Sequence, residues 1–548
     1  MADFMGLVAR ARARTANEEW AEAAQLWTEV TTANPVNGDY WARLGEARFG
    51  TQDYAGAREA YEKVLGLGGV RDGFVSPDKP WLMPGEVAYR IACCEAASGN
   101  GEAAVAALRA ALDRGMRHLV RVNSEECWKP LRTDQRIRDM AGIIDADAMT
   151  RDDGWRYDLA FLAREIKRLA YAPFALQPEA EFDRAVADLG GAIPGLTDAQ
   201  IVVGMKKLVR HLDDGHADID WPEDDKAMSR MLPVDMFWFA EGLYVIGAGP
   251  GCEHLLGARV ERIGGPTPDE ALAALDPIIA RDNEHQLTLL FAILVRRTAI
   301  LDVLGFDHTL SVQLPDGTRD EVRLEAVPTD FHFDRYPAGW TALADTVPAP
   351  RPLHLRNREL PFWFEHLPAD DLVYFQFNSV RDHPAETFAA FCDRLFGFVE
   401  DRNVGRLVID IRWNGGGDTF LSQHLLHHLI ASRRLSRRGA LYVIIGRLTF
   451  SAAQNTVTAI ERETGAIFVG EPTGSRPNFI GERIDFELPY SKVRANASDL
   501  YWQTSWPDDY RTWTAPDIYA PPTFEAYRRN QDPALDAILA LREHVPGG

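Results

Sequence analysis

Three short stretches of the sequence carry groups that could do chemistry. The stretch GRLTFSAAQN places Ser451 between an apolar run and a helix-like run. The stretch RWNGGGD contains the glycines 415–417, and LDDGHADIDW contains His216. A serine hydroxyl becomes a nucleophile when a base takes its proton, and neutral imidazole suits that task near pH 7. Taken singly, each stretch also has an ordinary interpretation as a helix cap, a turn or a solvated loop histidine.

The triple glycine could supply hydrogen-bond donors to a reacting group. Without Cβ atoms, its backbone can adopt positive φ and lets a substrate approach its N–H groups closely. Such N–H groups stabilise the oxyanion that develops when a nucleophile attacks a carbonyl. The run lacks the lysine of the pattern G-x-x-x-x-G-K-[ST], which disfavours a nucleotide-binding P-loop.

The elements from about residue 370 onward indicate how these groups could meet. The apolar runs LVYFQF, RLVIDI, ALYVIIG and AIFVG alternate with helix-like runs. Continuous apolar strands that alternate with helices predict a largely parallel sheet covered on both faces. Ligands bind beyond the carboxyl ends of such strands, and both the glycines and Ser451 follow a strand at that edge. The pattern therefore predicts an α/β core with its site there.

Residues 1–150 show an internal repeat. Ala23 and Trp27 recur as Ala57 and Tyr61 one period of 34 residues later, and a third copy follows a turn-rich insertion. This segment resembles tetratricopeptide repeats, in which stacked helix pairs bury a shared core. The resemblance implies either a concave groove for a peptide or protein partner, or a docking platform without a free ligand.

Two further segments separate the repeats from the α/β core, which we predict over 346–548. Residues 151–229 have helical periodicity, with Thr197 or Asp198 as a natural cap, and form a helical lead-in that carries the DGH stretch. Residues 230–345 are rich in β-like runs, and LLGARVERIGGPTPDEALAAL resembles part of a PDZ-like module. Such a module could add a peptide to its sheet edge, or it could serve packing alone.

Composition disfavours several classes of partner. The formal net charge of −22 opposes binding to nucleic acid or to anionic membranes. Five scattered cysteines do not form a ligand pattern, so we expect neither disulfides nor a structural metal. The first twenty residues lack an apolar signal region, and no run reaches the ~18–20 apolar residues of a membrane span. A cytoplasmic location is the expectation.

The ordered set of stretches DGH, VIDIRWNGGGD, TFSAAQN, AIFVGEPTGSRPN and APDIYAPPTFEAYRRNQDPALDAIL resembles the tail-specific (C-terminal processing) and tricorn-type serine peptidase family. The resemblance covers about residues 155–545. It implies a crotonase-like layered βα core behind the repeats and the PDZ-like module. It also implies a serine peptidase that acts on peptides or unfolded proteins, with Ser451 as nucleophile and no cofactor.

The general base distinguishes the two branches of this family. One branch uses a lysine after the VGEPT strand, but here that region carries Arg476, which stays protonated and cannot take a proton. The tricorn-type branch uses a histidine of a DGH-type segment, which implies His216. It also implies an acidic partner before the closing PDI motif, for which Asp509 is the first candidate and Asp508 and Glu482 are alternatives.

The same resemblance implies an oxyanion site formed by the N–H of Ala452 and the N–H groups of Gly416 or Gly417. One departure from the family is Gln454, which stands where a glutamate is usual.

Two other functions stay open: a catalytically inactive scaffold that binds proteins through its repeats, and a carboxylester hydrolase. The latter is disfavoured because Ser451 lacks the G-x-S-x-G elbow.

Overall fold

The structure, a computed structural model, describes residues 4–67, 83–221, 228–329, 332 and 334–541. The chain divides into two compact units. The first comprises Met1–Ala170 with Ile484–Lys492, and the second comprises Tyr171–Arg483 with Val493–Gly548. No helix within the described ranges is long and apolar enough to cross a membrane.

The first unit is helical. Its helices are α1 (Phe4–Ala16), α2 (Trp20–Ala33), α3 (Gly38–Gly50), α4 (Tyr54–Gly66), α5 (Pro84–Ala97), α6 (Gly101–Asp113), α7 (Val120–Ser124), α8 (Gln135–Ala141) and α9 (Arg151–Leu169). From α1 to α6, each helix packs against the next. The residues that define the repeat, Ala23, Trp27, Ala57 and Tyr61, are all buried. Most of the turn-rich insertion lies outside the described residues, and the assignment to tetratricopeptide repeats stays a prediction.

Helix α9 groups with the first unit, although the sequence interpretation places it in the lead-in. The buried carboxylate of Asp158 accepts hydrogen bonds from the backbone N–H groups of Tyr490 (2.7 Å) and Ser491 (2.8 Å). The ring of Trp155 packs edge-on against Tyr490, with 6.4 Å between ring centroids. These long-range contacts, which the local pattern does not contain, attach residues 484–492 to α9.

The second unit contains helices in addition to its two larger sheets. They are α10 (Glu179–Ala192), α11 (Asp198–Val209), α12 (Pro268–Leu275), α13 (Glu284–Leu294), α14 (Thr298–Leu304), α15 (Phe388–Asp401), α16 (Ser422–Ala431), α17 (Ala452–Glu463), α18 (Phe524–Tyr527) and α19 (Pro533–Ala540). Helix α11 begins as the sequence predicts. The Thr197 hydroxyl accepts the Gln200 N–H while the Gln200 side chain accepts the Thr197 N–H, which forms a capping box.

The strands are β1 (Arg230–Met231), β2 (Val234–Phe239), β3 (Gly242–Ala248), β4 (Arg259–Ile263), β5 (Thr309–Gln313), β6 (Arg319–Arg323), β7 (Val327–Pro328), β8 (Thr341–Ala342), β9 (Phe362–Leu367), β10 (Leu372–Phe377), β11 (Arg406–Asp410), β12 (Leu441–Ile445), β13 (Ile467–Gly470), β14 (Asn478–Glu487), β15 (Arg494–Gln503) and β16 (Ile518–Tyr519). One sheet is antiparallel in the order β2-β3-β4-β5-β6, with β8 beside β3. This sheet is the β-rich segment that the sequence predicts, and its PDZ-like character stays a prediction.

The other large sheet has the order β16-β13-β12-β11-β10-β9. Its strands are parallel from β16 to β10, and only β9 runs antiparallel to its neighbour. Alternate side chains point to opposite faces. One face packs Phe375 and Val443 against α15, α16 and α17, and the other packs Tyr374 and Tyr442 against α19. The prediction of a largely parallel sheet covered on both faces is therefore confirmed.

Candidate active site

Ser451 occupies a strained turn between β12 and α17. Its backbone has φ +55° and ψ −126°, a region that costs a residue with a side chain about 1–3 kcal/mol. It stands at the cap position of α17, as the sequence predicts. Its hydroxyl nevertheless makes no capping hydrogen bond to this helix, all of whose residues are described. The serine side chain is therefore not used to begin the helix.

The glycine loop after β11 lies directly against this turn. Gly416 and Gly417 have φ of +113° and +139°, which side chains rarely tolerate. A Cβ atom on Gly416 would stand 2.8 Å from the Ser451 Cβ and 3.0 Å from the Ala452 nitrogen. A Cβ atom on Gly417 would clash with the Val380 carbonyl oxygen. The absence of side chains lets the loop approach the serine closely.

The two glycines use their N–H groups differently. Gly416 donates its N–H to the Asn414 side-chain oxygen at 2.9 Å, and buried Asn414 donates in turn to the Phe377 carbonyl. Within the described residues, the N–H groups of Gly417 and Ala452 have no hydrogen-bond acceptor. This corrects the expectation for Gly416, whose N–H holds the shape of the loop. The free donors beside Ser451 are Ala452, at the N-terminus of α17, and Gly417.

His216 lies beside the serine turn. Its ring packs on Phe450, the residue before Ser451, with 4.4 Å between ring centroids, and stacks on Phe479 at 5.7 Å. Its Nδ1 atom is 3.4 Å from an oxygen of Asp214. Among the described residues, neither ring nitrogen has a hydrogen-bond partner, and both are buried. The structure thus brings His216 to the segment that carries Ser451.

Two buried carboxylates surround this imidazole. Asp214 accepts the His216 backbone N–H, and Asp282 accepts the Gly215 N–H at 2.9 Å and the hydroxyl of Ser475. Burial of the ring opposes its protonation, but the neighbouring charges of Asp214 and Asp282 outweigh burial and raise the pKa of His216. Burial raises the pKa of Asp282 as well. The group can therefore hold an extra proton more readily than a solvated histidine.

Arg476 ties this segment in place. Its guanidinium donates to both oxygens of Asp213, at 2.7 and 2.6 Å, and its Nε donates to the Asp282 carbonyl at 2.9 Å. A bidentate pair of this kind fixes orientation as well as distance. The arginine that cannot act as a base therefore links the loop after β13 to the segment that carries His216.

Asp509, the predicted acidic member, has other partners. Its carboxylate accepts hydrogen bonds from Arg511 Nε at 3.0 Å and from the Ser505 hydroxyl at 2.6 Å. The hydrogen bonds from Arg511 hold the pKa of Asp509 at about 2. Of the two alternatives, Asp508 is exposed and Glu482 lies in β14 with φ +67°. The structure does not bring Asp509 to the imidazole.

Sequence reasoning missed the two carboxylates that do lie beside His216. Asp214 stands two residues before the histidine, so the doubled aspartate of LDDGH is a signal that could have found it. Asp282 precedes α13 and is distant in sequence, and no motif marks it. Only the packing of α13 against the core places it near the imidazole.

A separate group in the first unit has ligand types that a metal could use. Among the described residues, Cys93, Glu125 and Cys127 bring ligand atoms within 4.8 Å of one another. Burial raises the pKa of the Cys93 thiol, and Arg121 Nε donates to Glu125 at 2.7 Å. The thiol thus keeps its proton and the carboxylate already has a cation, so we assign no metal to this group.

Several solved structures are similar in fold to this chain. The chain is similar to mature CPAF complexed with lactacystin, with TM-score 0.51 and 13% identity over 72% of this chain and 98% of that one. Mature CPAF without this ligand has TM-score 0.50 and 14% sequence identity, and the match covers 72% of this chain and 97% of that one. The tricorn protease has TM-score 0.35 and 14% sequence identity, and the match covers 72% of this chain and 37% of that one. This TM-score supports no conclusion. No protein-family profile and no curated protein matches the sequence. The fold, therefore, is shared with CPAF.

Substituting the loop glycines by alanine should show where the loop has no room for a side chain. We expect Gly416→Ala to lower the free energy of unfolding by about 1–3 kcal/mol, because the new Cβ meets Ser451 and the positive φ becomes strained. Gly415→Ala is the matched control, since its Cβ would meet only Leu448, at 3.9 Å. Urea denaturation of both variants measures the difference. Equal losses in the two variants would contradict the close approach at Gly416.

The charge around His216 should appear in its titration. We expect the pKa of His216 to lie above its ordinary value of 6.5, and Asp214→Asn to lower it, because burial then dominates. A raised pKa in the folded state means that the stabilisation is complete below pH 6.5 and is lost as the pH rises through the folded value. NMR titration of histidine-labelled protein measures it, with His216→Gln to assign the signal.

The matched control for this titration is Asp393→Asn, which removes a carboxylate 2.9 Å from the partly exposed His428. It should leave the His216 signal unchanged. A His216 pKa at or below 6.5 in the unmodified protein, or no response to Asp214→Asn, would show that the carboxylates do not control the ring.

Proposed function

We propose that this protein is a serine peptidase that cleaves peptides or unfolded proteins with Ser451 as nucleophile and His216 as general base. One observation carries the proposal. The strained turn that carries Ser451, whose hydroxyl makes no capping hydrogen bond, lies against the glycine loop, and the preceding residue packs on a buried imidazole. Strain of this kind is typical of functional sites, because the surrounding structure must maintain it.

The proposed reaction has two halves. Ser451 attacks the carbonyl carbon of the scissile peptide bond while His216 accepts its proton. The N–H groups of Ala452 and Gly417 stabilise the oxyanion, aided by the positive end of the α17 dipole, and one such donor contributes on the order of 3 kcal/mol. The imidazolium then protonates the leaving amine. Water then attacks the acyl-enzyme while His216 takes its proton, and the imidazolium returns that proton to the Ser451 oxygen as the acid product leaves.

Asp214 is the better candidate for the acid that orients the imidazole. Its oxygen is 3.4 Å from His216 Nδ1, and such contacts are often long in free enzymes and shorten when substrate binds. Asp282 adds a second negative charge that stabilises the imidazolium. We assign to this pair the role for which the sequence interpretation first proposed Asp509, whose carboxylate is bound by Arg511.

The first unit and the antiparallel sheet have supporting roles in this proposal. We propose that the helices α1–α6 form tetratricopeptide repeats that recruit a substrate or partner protein. The β2–β6 sheet is then a PDZ-like module. A cytoplasmic location remains a prediction from the sequence.

One observation favours the alternative of an inactive scaffold. Both ring nitrogens of His216 are buried, and among the described residues neither bonds to the Ser451 hydroxyl. If the ring cannot reach the serine, the peptidase fold would only bind proteins, with the repeats as the binding surface. Labelling of the serine distinguishes the two functions.

A fluorophosphonate probe, which reacts with activated serine hydroxyls, tests the proposed function. We expect labelling of the full-length protein, no labelling of Ser451→Ala, and a rate lower by about 10²–10⁴-fold for His216→Gln, because general-base catalysis contributes that much. Ser436→Ala, at an exposed position beyond α16, is the matched control and should label normally. Absence of labelling in the folded, unmodified protein would favour the scaffold.

A further inference from the structure

Two cysteines that are distant in the sequence meet in the first unit, outside the proposed site. Cys93 lies in α5, and Cys127 lies in the short 3₁₀ helix Glu126–Leu131. Their sulfur atoms and a carboxylate oxygen of Glu125 all lie within 4.8 Å of one another. Both cysteines carry free thiols. The fold therefore holds as neighbours two groups that oxidation can join covalently.

The carboxylate of Glu125 directs both thiols toward one point. Cys93 Sγ donates to its Oε2 atom at 3.5 Å, and Cys127 Sγ donates to the same atom at 3.8 Å. Arg121 Nε holds the other oxygen of this carboxylate at 2.7 Å. Because two S–H groups share one fixed acceptor, each sulfur atom is held beside the other.

The two thiols differ in their access to solvent. Cys93 is fully buried, and burial, together with its contact with Cys127, raises the pKa of its thiol. Cys127 is only partly buried. Oxidants react with the thiolate of an accessible cysteine, so the enclosed Cys93 is inert on its own. Cys127 is the thiol of this pair that a small oxidant can reach.

Cys94 is the neighbour of Cys93 in the chain, but it packs elsewhere. Cys93 packs in the cluster that contains Trp128 of the 3₁₀ helix, whereas Cys94 packs in another cluster with Tyr61 of α4. Both cysteines are buried, and burial raises the pKa of Cys94 to about 12. Successive residues of a helix point in different directions. Direction, rather than burial or chemistry, therefore makes Cys93 the partner of Cys127.

We infer that Cys93 and Cys127 form a reversible disulfide when a hydroperoxide oxidises the protein, and that this bond ties the 3₁₀ helix Glu126–Leu131 to α5. The inference does not depend on the proposed peptidase activity, because both cysteines belong to the first unit while Ser451 and His216 belong to the second. Transient disulfides of this kind act as redox sensors in reducing compartments.

The reaction has two steps. A hydroperoxide transfers its terminal oxygen to the Cys127 sulfur as its O–O bond breaks, which gives a sulfenic acid and an alcohol, or water from hydrogen peroxide. The Cys93 sulfur then attacks the Cys127 sulfur. The S–S bond forms as the S–O bond breaks, and the leaving hydroxide receives the Cys93 proton through Glu125 and departs as water. The two sulfurs lose two electrons, which the peroxide gains. Contact between the sulfurs compensates for the small thiolate fraction of Cys93.

Mass spectrometry of the full-length protein after treatment with hydrogen peroxide tests the inference. Remaining thiols are blocked with N-ethylmaleimide before digestion. We expect a disulfide-linked peptide pair that contains Cys93 and Cys127 in most molecules, and its loss after dithiothreitol. Cys94→Ser is the matched control and should retain the pair. Cys93→Ser should abolish the pair and leave a Cys127 sulfenic acid, which dimedone traps.

Cys127→Ala provides the test if a change at the buried Cys93 prevents folding, since Cys127 is partly exposed. In this variant Cys93 should stay a thiol at the peroxide concentration that oxidises the unmodified protein. Absence of the linked pair, linkage of Cys127 to Cys94, or a Cys127 sulfenic acid that persists in the unmodified protein would each overturn the inference.

Hydrogen exchange measures whether the bond fixes the 3₁₀ helix. We expect the backbone amides of Glu126–Leu131 to exchange at least about threefold more slowly in the oxidised protein, because opening of this segment must then move α5 as well. Dithiothreitol should restore the rate, and Cys127→Ala should show no response to peroxide. Equal exchange rates in the reduced and oxidised proteins would contradict the proposed tie to α5.

Discussion

The turn at Ser451 and the loop at Gly416 approach so closely that neither can change without the other. Their backbones are in contact because β11 and β12 are adjacent parallel strands, whose carboxyl ends meet at one edge. The serine retains a positive φ because this packing leaves no room for relaxation. Asn414 fixes the loop from below by accepting the Gly416 N–H. The other features of the site are arranged around this contact.

The histidine depends on contacts from distant parts of the chain. Phe450 and Phe479 enclose the ring, and Asp214 and Asp282 supply negative charge. Burial of the Asp282 carboxylate raises its pKa, and the nearby negative charge of Asp214 raises that pKa further. Under the proposed function, this arrangement would let His216 hold a proton briefly and return it.

Much of the core could be predicted from the sequence. The strand LVYFQF matches β10 residue for residue, and the helix after Ser451 begins at the next residue. Capping at Thr197 was also predictable, because it needs only neighbours in the chain. The acidic partner of His216 was not predictable, because the position of an acidic residue in the sequence does not show which side chain it will face in the fold. Asp509 was chosen by its place in a motif, and its carboxylate instead accepts hydrogen bonds from Arg511.

The sequence alone determined the order of strands and helices, the edge at which the serine and the glycines lie, and the exclusion of Arg476 as a base. These follow from periodicity, turn chemistry and side-chain pKa, which act over a few residues. Only the tertiary structure decided which N–H groups have no acceptor among the described residues and which carboxylates face the imidazole. Those depend on residues such as Asp282, which only the packing of α13 brings to the site.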